Sequence, residues 1–337
     1  MMRWLGLLAG LFVALTIQAA PALPSADWER YKTAFISSEG RVIDTGNQGI
    51  SHSEGQGYGL LLALAMNDRA TFERIWQWTQ QNLRREDGLI GWQWRPNENP
   101  PVKDWNNATD GDLLVAWALA EAGEAWKQPD WVQAARTMAE RLRNTVIRPT
   151  SLGPMLLPAQ QGFERGDHML LNPAYWVYPA FKTLGRIDPN PVWQDLIASG
   201  QRLLELSRFG PAGVPPDWVR LYKDGHLGLA DQPLQRRFGF DAIRVPLYLC
   251  WIGQRDPLVL DAFQRIWPSD GAPAWFDLAN GDRAAYPLPL AQRAMRQLVL
   301  GCAGKQPRPM LELQTEDYYG ATLTILARLT LSSSRMP

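Results

Sequence analysis

The chain has 337 residues, among them 34 Lys and Arg and 34 Asp and Glu, so its formal net charge at neutral pH is zero. This balance excludes the strongly basic surface that binds nucleic acid, and it gives no reason to expect a charged partner. A neutral ligand fits best.

The first 22 residues have the pattern of a secretory signal peptide. Arg3 supplies a positive charge, residues 4–17 are apolar, and residues 20–22, Ala-Pro-Ala, offer a cleavage site of small residues. The apolar stretch is too short to span a bilayer, and no later apolar run approaches membrane length. We therefore expect a mature chain, residues 23–337, that forms one domain, has no membrane span and is periplasmic or secreted.

Helical periodicity runs through almost all of the remaining chain. In one stripe, for example, Val132, Ala135, Ala139 and Leu142 recur at the spacing of a helix face. The pattern predicts about eleven helices, over residues 26–36, 54–66, 72–83, 110–123, 132–146, 172–185, 193–204, 241–253, 257–267, 285–299 and 317–331. Paired neighbours would close into an all-α toroid of inner and outer helices, although periodicity alone also allows a globin-like or solenoid packing.

Three long loops rich in Pro and Gly interrupt the helices, at residues 147–171, 208–236 and 302–312. Long structured loops in a compact domain usually build a binding face. The chain also contains 16 Trp residues, whose flat faces suit sugar rings, although the usual role of a Trp is packing.

Glu54 lies in the first of three acidic segments and opens a helical run with Gly at positions 55, 57 and 59. Each Gly inside a helix costs roughly 1 kcal/mol relative to Ala, so the run indicates either tight helix packing or close approach of a ligand. Glu54 fits both a structural acid of the first helical turn and a catalytic acid. A catalytic acid here needs burial to raise its pKa against the lowering effect of the helix N-terminus.

The second segment, residues 108–112, separates two acids. Thr109 as the N-cap residue with Asp112 three positions later makes a variant of the capping box, which predicts a structural role for Asp112. Asp110 then points out of the helix mouth and is the better functional candidate. A calcium loop is a poor alternative, because Val115 stands where the bidentate Glu is needed.

In the third segment, Asp241 and Arg244 are three residues apart on a predicted helix and can form an ion pair. On the surface such a pair would contribute almost nothing to stability. In a cleft, the same arginine would keep Asp241 ionised and orient it, as a general base requires.

Other catalytic chemistries find less support. The chain has only three His residues, without metal-ligand spacing, so we expect no metal. It contains neither a G-x-S-x-G nucleophile motif nor a phosphate-binding P-loop. The residues therefore favour catalysis by two carboxyl groups. Cys250 and Cys302 could form a disulfide in an exported chain, but both lie in apolar contexts where free thiols also occur.

Taken together, these segments resemble glycoside hydrolase family 8 over essentially the whole mature chain. The most specific match is Ala-Thr-Asp-Gly-Asp at 108–112, followed by Ala-Trp-Ala-Leu at 116–119. Five further runs match in order: Ser-Glu-Gly-Gln-Gly-Tyr-Gly at 53–59, Gly-Pro-Met-Leu-Leu-Pro at 153–158, Asn-Pro-Ala-Tyr at 172–175, Pro-Asp-Trp-Val at 216–219 and Asp-Ala-Ile-Arg-Val at 241–245.

The resemblance implies an (α/α)6 barrel of six inner and six outer helices, with long loops along an open groove. It also implies hydrolysis of internal β-1,4 bonds of cellulose or β-glucan with inversion, without a cofactor. Glu54 would be the general acid, Asp241 the general base, and Asp110 would hold the sugar ring at the cleavage point. The family's substrate-contacting positions would correspond to Arg244, Tyr175, Trp92, Trp105 and Tyr319.

One departure from the family pattern is Phe240, where several relatives carry a Tyr before the base. The most similar members accompany bacterial cellulose synthase in the periplasm, which implies a cellulose chain as substrate and transient contact with the synthesis and export machinery. Two other hypotheses remain open: a related hydrolase acting on chitosan, xylan or mixed-linkage glucan, and a non-catalytic glycan-binding subunit.

Overall fold

The computed structural model describes residues 24–305 and 311–333, so the predicted signal peptide at 1–22 lies outside the described residues. Eleven α-helices occur within these ranges: α1 (Ser25–Phe35), α2 (Ser53–Ala65), α3 (Arg69–Asn82), α4 (Thr109–Ala125), α5 (Pro129–Thr145), α6 (Tyr178–Ile187), α7 (Val192–Leu206), α8 (Val245–Trp251), α9 (Pro257–Ile266), α10 (Leu290–Cys302) and α11 (Tyr318–Ser333). Among the described residues, no helix is both long and apolar enough to cross a membrane.

Six of these helices form a closed inner ring, in which α2 packs on α4, α4 on α6, α6 on α8, α8 on α10, α10 on α11 and α11 on α2. The helices α1, α3, α5, α7 and α9 lie outside the ring. The fold is therefore an (α/α)6 barrel, as the resemblance implied. Within the described residues one outer helix is missing, because no helix joins α10 to α11 through residues 303–305 and 311–317.

Burial distinguishes the two layers. In the inner helix α4, nearly every side chain from Thr109 to Gly123 is buried. In the outer helix α5, only Ala135, Met138, Ala139 and Leu142 are buried, and they form the single stripe expected of an amphipathic helix. An apolar stripe of this kind predicts an outer helix directly, whereas the inner helices α2 and α4 are buried on nearly every side.

Prolines shorten three of the predicted helices. Residues 172–185 were expected to be helical throughout, but Pro173–Tyr175 forms a separate 3-10 turn and α6 begins only at Tyr178. Residues 241–253 likewise divide into a 3-10 turn, Ala242–Arg244, and α8, which has Pro246 in its first turn. The helix expected from residue 285 starts at Leu290, directly after Pro289. Each shift follows from the tolerance of Pro in a first turn and its exclusion from a helix interior.

The long loops contain most of the strands, which were not predicted. Antiparallel pairing joins β1 to β2, β3 to β4 and β8 to β9, and β5, β6 and β7 form a three-stranded sheet. The strands are β1 (Ser51–His52), β2 (Gln93–Trp94), β3 (Ile147–Thr150), β4 (Gly153–Leu156), β5 (His168–Leu171), β6 (Val219–Tyr222), β7 (Leu227–Leu229), β8 (Arg237–Phe238) and β9 (Phe276–Asp277). Since β5 belongs to one long loop and β6 and β7 to the next, this sheet binds the two loops together.

Cys250 and Cys302 form a disulfide that links the end of α8 to the end of α10, with their Cα atoms 6.2 Å apart. We expect replacement of both by Ala to lower the free energy of unfolding by about 3–4 kcal/mol, because the bond closes a loop between residues 52 apart. Urea unfolding of wild type and double variant without reductant measures the difference. Reductant should bring the wild type close to the variant; equal stability under oxidising conditions would contradict the expectation.

Candidate active site

The three predicted acids meet around one guanidinium group. Arg244, whose side chain is 4% exposed, forms an ion pair through Nη1 with Glu54 and lies 3.6 Å from Asp110 Oδ2 through the same atom. Its Nη2 donates a hydrogen bond to Asp241 Oδ1 at 3.0 Å. The ion pair between Asp241 and Arg244 that their spacing suggested is therefore present, and it lies in a buried cluster rather than on the surface.

Packing of two inner helices places Glu54 beside Asp110. Each is the second residue of its helix, α2 or α4, and the two helices lie side by side in the ring. A Cβ on Gly111 would lie 2.7 Å from the Glu54 backbone nitrogen, and one on Gly57 would lie 2.5 Å from Leu114 Cβ. Glycines therefore let the two helix starts touch, so helix packing explains the Gly57 position.

Asp110 is 3% exposed and accepts a hydrogen bond from the Gly111 N–H at 2.8 Å. Burial raises its pKa, and the charges of Asp241 and Asp112 add to that rise, while the Gly111 hydrogen bond opposes it. A carboxyl group in this position tends to keep its proton. Such a group can donate a hydrogen bond to a ligand hydroxyl.

Asp112 is structural, but the predicted capping box is wrong. Thr109 is the first helical residue rather than the cap, and its hydroxyl donates to the Leu157 carbonyl at 2.7 Å. Asp112 instead accepts from the Ile90 N–H at 2.8 Å through Oδ1 and from Asn107 Nδ2 at 2.8 Å through Oδ2. It ties α4 to two loops, and burial raises its pKa to about 7.

We expect Asp112→Ala to lower the free energy of unfolding by about 1–3 kcal/mol, because two buried donors, on Ile90 and Asn107, lose their acceptor. Turnover by the folded fraction should change little. Asp110→Ala, on the same helix, is the matched comparison and should show the reverse pattern. Urea unfolding combined with kcat per folded molecule tests both. Loss of turnover in fully folded Asp112→Ala, with turnover kept in Asp110→Ala, would show that the two roles are reversed.

Asp241 lies at the mouth of the cluster, with its side chain one-third exposed. Trp218 Nε1 donates to Asp241 Oδ2 at 3.1 Å. Partial withdrawal from solvent raises the pKa of Asp241, while the Asn172 and Trp218 side chains and the charge of Arg237 oppose that rise. Its two carboxyl oxygens thus have fixed partners, and the group still reaches solvent. These are the conditions under which a carboxylate can act on water.

Two of the predicted aromatic contacts surround this cluster. The Tyr175 ring lies over Arg244, with the guanidinium carbon 5.9 Å from the ring centroid, and its centroid is 6.0 Å from that of Trp218. Tyr319 donates its hydroxyl to the Phe240 carbonyl at 2.6 Å, directly before Asp241. Phe240 has no hydroxyl of its own, and in this structure the Tyr319 hydroxyl binds its backbone.

Trp92 and Trp105 lie in the segment between α3 and α4, and no contact joins either ring to the acids around Arg244 among the described residues. The Trp92 carbonyl accepts from the Ser53 N–H at 3.1 Å, and its indole donates to Asp104 Oδ2 at 3.0 Å. Trp105 is 49% exposed and borders a cavity of about 710 Å³ that charged side chains also line. An exposed Trp face beside a cavity can stack on a sugar ring.

Three residues contact this site that were not predicted: Asn172, Asp217 and Trp218. Asn172 is fully buried beside Asp241, Asp217 binds the backbone around Asp241, and Trp218 binds its carboxyl group. They lie in the runs at 172–175 and 216–219, in which the family resemblance implied a role for Tyr175 alone. Within the described ranges, no group of three or more His, Cys, Asp and Glu residues is placed to hold a metal ion.

Comparison with known proteins identifies the family. The model for glycosyl hydrolases family 8 matches residues 1–332. The chain is 38% identical over 313 residues to a probable endoglucanase of Novacetimonas hansenii, covering 91% of this chain and 90% of that one. It is 36% identical to an endoglucanase of Cellulomonas uda, over 87% of this chain and 83% of the relative.

Solved structures agree. The fold matches that of the endo-β-1,4-glucanase CMCax from Acetobacter xylinum with a TM-score of 0.87 at 36% identity, over 94% of this chain and 100% of that one. Sequence and fold therefore point the same way, and the chain belongs to glycosyl hydrolase family 8.

Proposed function

We propose that this protein is an endo-1,4-β-glucanase that cleaves internal β-glucosidic bonds with inversion at the anomeric carbon. The observation that carries the proposal is the arrangement of Glu54 and Asp241 on different nitrogens of the Arg244 guanidinium. Each carboxyl group is thus held by its own nitrogen of one side chain. Inversion requires a separation of about 6.5–9.5 Å between the two carboxyl groups, so that a water molecule fits beside the base.

In this mechanism Glu54 donates a proton to the glycosidic oxygen while Asp241 removes one from the attacking water. The water oxygen bonds to the anomeric carbon as the bond to the leaving oxygen breaks, so the two carboxyl groups exchange protonation states. Asp110 binds the ring at the cleavage point and supports its distortion. Arg244 stabilises the ionised form of Asp241 at 3.0 Å.

The charge of the cluster supports a proton donor. Three carboxyl groups, those of Glu54, Asp110 and Asp241, contact Arg244, and Asp217 and Arg237 also face Asp241. If all four acids were ionised, the two arginines would leave two negative charges uncompensated in a largely buried site, so the cluster favours retaining a proton. A retained proton is what acid catalysis requires.

Three observations support a neutral β-1,4-glucan as the substrate. The chain has no net charge, Tyr175 and Tyr319 border the site, and similar proteins carry the name endoglucanase. Aromatic side chains can stack on several sugar units, and binding remote from the cleaved bond can offset the cost of ring distortion. A cationic glycan such as chitosan would favour a strongly acidic groove.

We further propose export and a role beside bacterial cellulose synthesis, with transient contact between the enzyme and the synthesis and export machinery. The support is the signal-peptide pattern of residues 1–22 and the similarity to the glucanases of Acetobacter xylinum and Novacetimonas hansenii. A fusion of residues 1–30 to a reporter active only after export would test the first step.

The stereochemistry of the product tests activity, linkage and mechanism together. We expect sugar release from carboxymethylcellulose, and NMR during digestion of a soluble β-1,4-glucan should show the α-anomer first. Lichenan, chitosan and xylan, assayed in parallel, identify the preferred glycan. Early appearance of the β-anomer would refute inversion, and cleavage confined to chitosan or xylan would refute the assigned substrate.

A further inference from the structure

A buried carboxyl group outside the reacting cluster holds the segment that carries Asp241. Asp217 is 3% exposed, and its Oδ1 accepts hydrogen bonds from the N–H groups of Gly239 at 3.0 Å, Asp241 at 3.1 Å and Ala242 at 2.8 Å. One oxygen thus accepts from three N–H groups within residues 239–242, in the turn that leads into the Ala242–Arg244 helical turn. Convergence of this kind fixes a backbone at one point.

Further contacts tie Asp217 to the same segment. Its own N–H donates to the Arg237 carbonyl at 2.7 Å, and its Oδ2 lies 3.6 Å from Arg237 Nε. A Cβ on Gly239 would lie 2.5 Å from Asp217 Oδ2, closer than an ordinary side chain allows. The close approach of carboxyl group and backbone therefore depends on glycine at position 239.

The next residue, Trp218, holds the side chain of the same acid. Its indole N–H donates to Asp241 Oδ2 at 3.1 Å. The indole ring is itself fixed by stacking on Phe163, with centroids 5.5 Å apart and planes within 9°. Residues 217 and 218 directly precede β6, the central strand of the three-stranded sheet, which anchors both.

We propose that Asp217 and Trp218 form a positioning pair for Asp241, with Asp217 fixing its backbone and Trp218 fixing one carboxyl oxygen. The lone pairs of the Asp241 carboxyl group that accept from neither Trp218 nor Arg244 then face the attacking water. This inference rests on the proposed role of Asp241 as the general base. Asp217 acts through Asp241 and does not itself react.

The charge of Asp217 gives the proposal a distinctive signature. Asp241 is faced by two cations and two other acids, and by two tyrosines: Arg244, Arg237, Asp110, Asp217, Tyr175 and Tyr319. Burial and repulsion from Asp241 raise the pKa of Asp217, but three N–H donors and the Arg237 guanidinium stabilise its ionised form. The repulsion between the two acids is mutual, so the ionised form of Asp217 disfavours ionisation of Asp241. Removing that charge should let Asp241 lose its proton at lower pH.

The test compares Asp217→Ala, Asp217→Asn and Trp218→Phe with wild type on a soluble β-1,4-glucan. We expect Asp217→Ala to lower kcat by about 100-fold with KM little changed, because a shift of about 1 Å in a reacting group can cost that much. Asp217→Asn keeps an acceptor oxygen and should recover part of kcat, with the acidic limb of its kcat–pH profile moved to lower pH. Trp218→Phe, which keeps the ring and loses the N–H, should lower kcat without moving the unfolding temperature comparably.

Asp188→Asn is the matched control. Asp188 is also a buried acid that binds an arginine, Arg143, and a tryptophan N–H, that of Trp193, but it lies at the end of α6. It should lose stability and keep the wild-type pH profile. The positioning role is refuted if the Asp217 variants keep kcat within about threefold of wild type. It is also refuted if their kcat falls only in proportion to the unfolded fraction and the acidic limb of the pH profile stays where it is in wild type. If Asp241→Asn retains activity, the proposed function fails instead, so the two failures are distinguishable.

Discussion

Glu54→Gln is expected to lower kcat on β-1,4-glucan by about 1,000-fold, which lies within the range that positioned acids contribute. Gln has nearly the same shape, can still accept from Arg244 through its amide oxygen, and cannot donate an acidic proton. Binding of the glucan should persist, because the aromatic side chains beside the cluster, Tyr175 and Tyr319, are unchanged. Reducing-sugar release and a binding isotherm on the same polymer measure the two quantities.

A substrate with an acidic leaving group isolates the step that Glu54 performs. A dinitrophenyl β-glucoside of a short glucan needs little protonation to depart, so the variant should lose only about tenfold on it. Glu73→Gln is the control, since Glu73 forms an exposed ion pair with Arg69 on the outer helix α3. Equal losses on both substrates would show that Glu54 acts in binding or folding rather than as the acid.

The sequence alone predicts individual helices, because the apolar pattern of a helix lies within a short stretch of the chain. The stripe of α5 lies within one helix, and each of the eleven predicted helical runs overlaps an observed helix. Closure of the ring cannot be predicted in this way. It depends on contact between α2 and α11, which lie near opposite ends of the sequence, and local periodicity does not reveal such a contact. Pairing of neighbouring helices allowed a closed ring, a solenoid or a globin-like packing, and only the resemblance to a family favoured the ring.

The acids of the site could be predicted, but the contacts that hold them could not. Glu54, Asp110 and Asp241 stand out locally because each lies beside small residues at a helix start. Asp217 and Trp218 lie in a loop more than twenty residues before Asp241 and carry no local pattern of that kind. The capping-box error has the same origin: Asp112 binds Ile90 across the fold, and a local motif cannot reveal that partner.

Asp241→Asn is expected to remove general-base catalysis and lower kcat by a factor of about 100 to 10,000. The amide can still accept from Trp218 or Arg244, so the fold and the neighbouring acids should stay in place, but it cannot take a proton from water. Asp256→Asn is the matched control. Asp256 caps α9 by accepting from the Leu258 N–H at 2.8 Å, and Asn serves equally well at such a cap.

The pH profile connects this loss to proton removal. Withdrawal of Asp241 from solvent raises its pKa to about 6, and only its ionised form can act as the base. Wild-type kcat/KM should therefore rise as pH increases through about 6. The residual activity of Asp241→Asn should lack that rise, because the titrating group is gone. An unchanged acidic limb in the variant would assign the limb to another member of the cluster, and wild-type turnover in the variant would exclude Asp241 as the base.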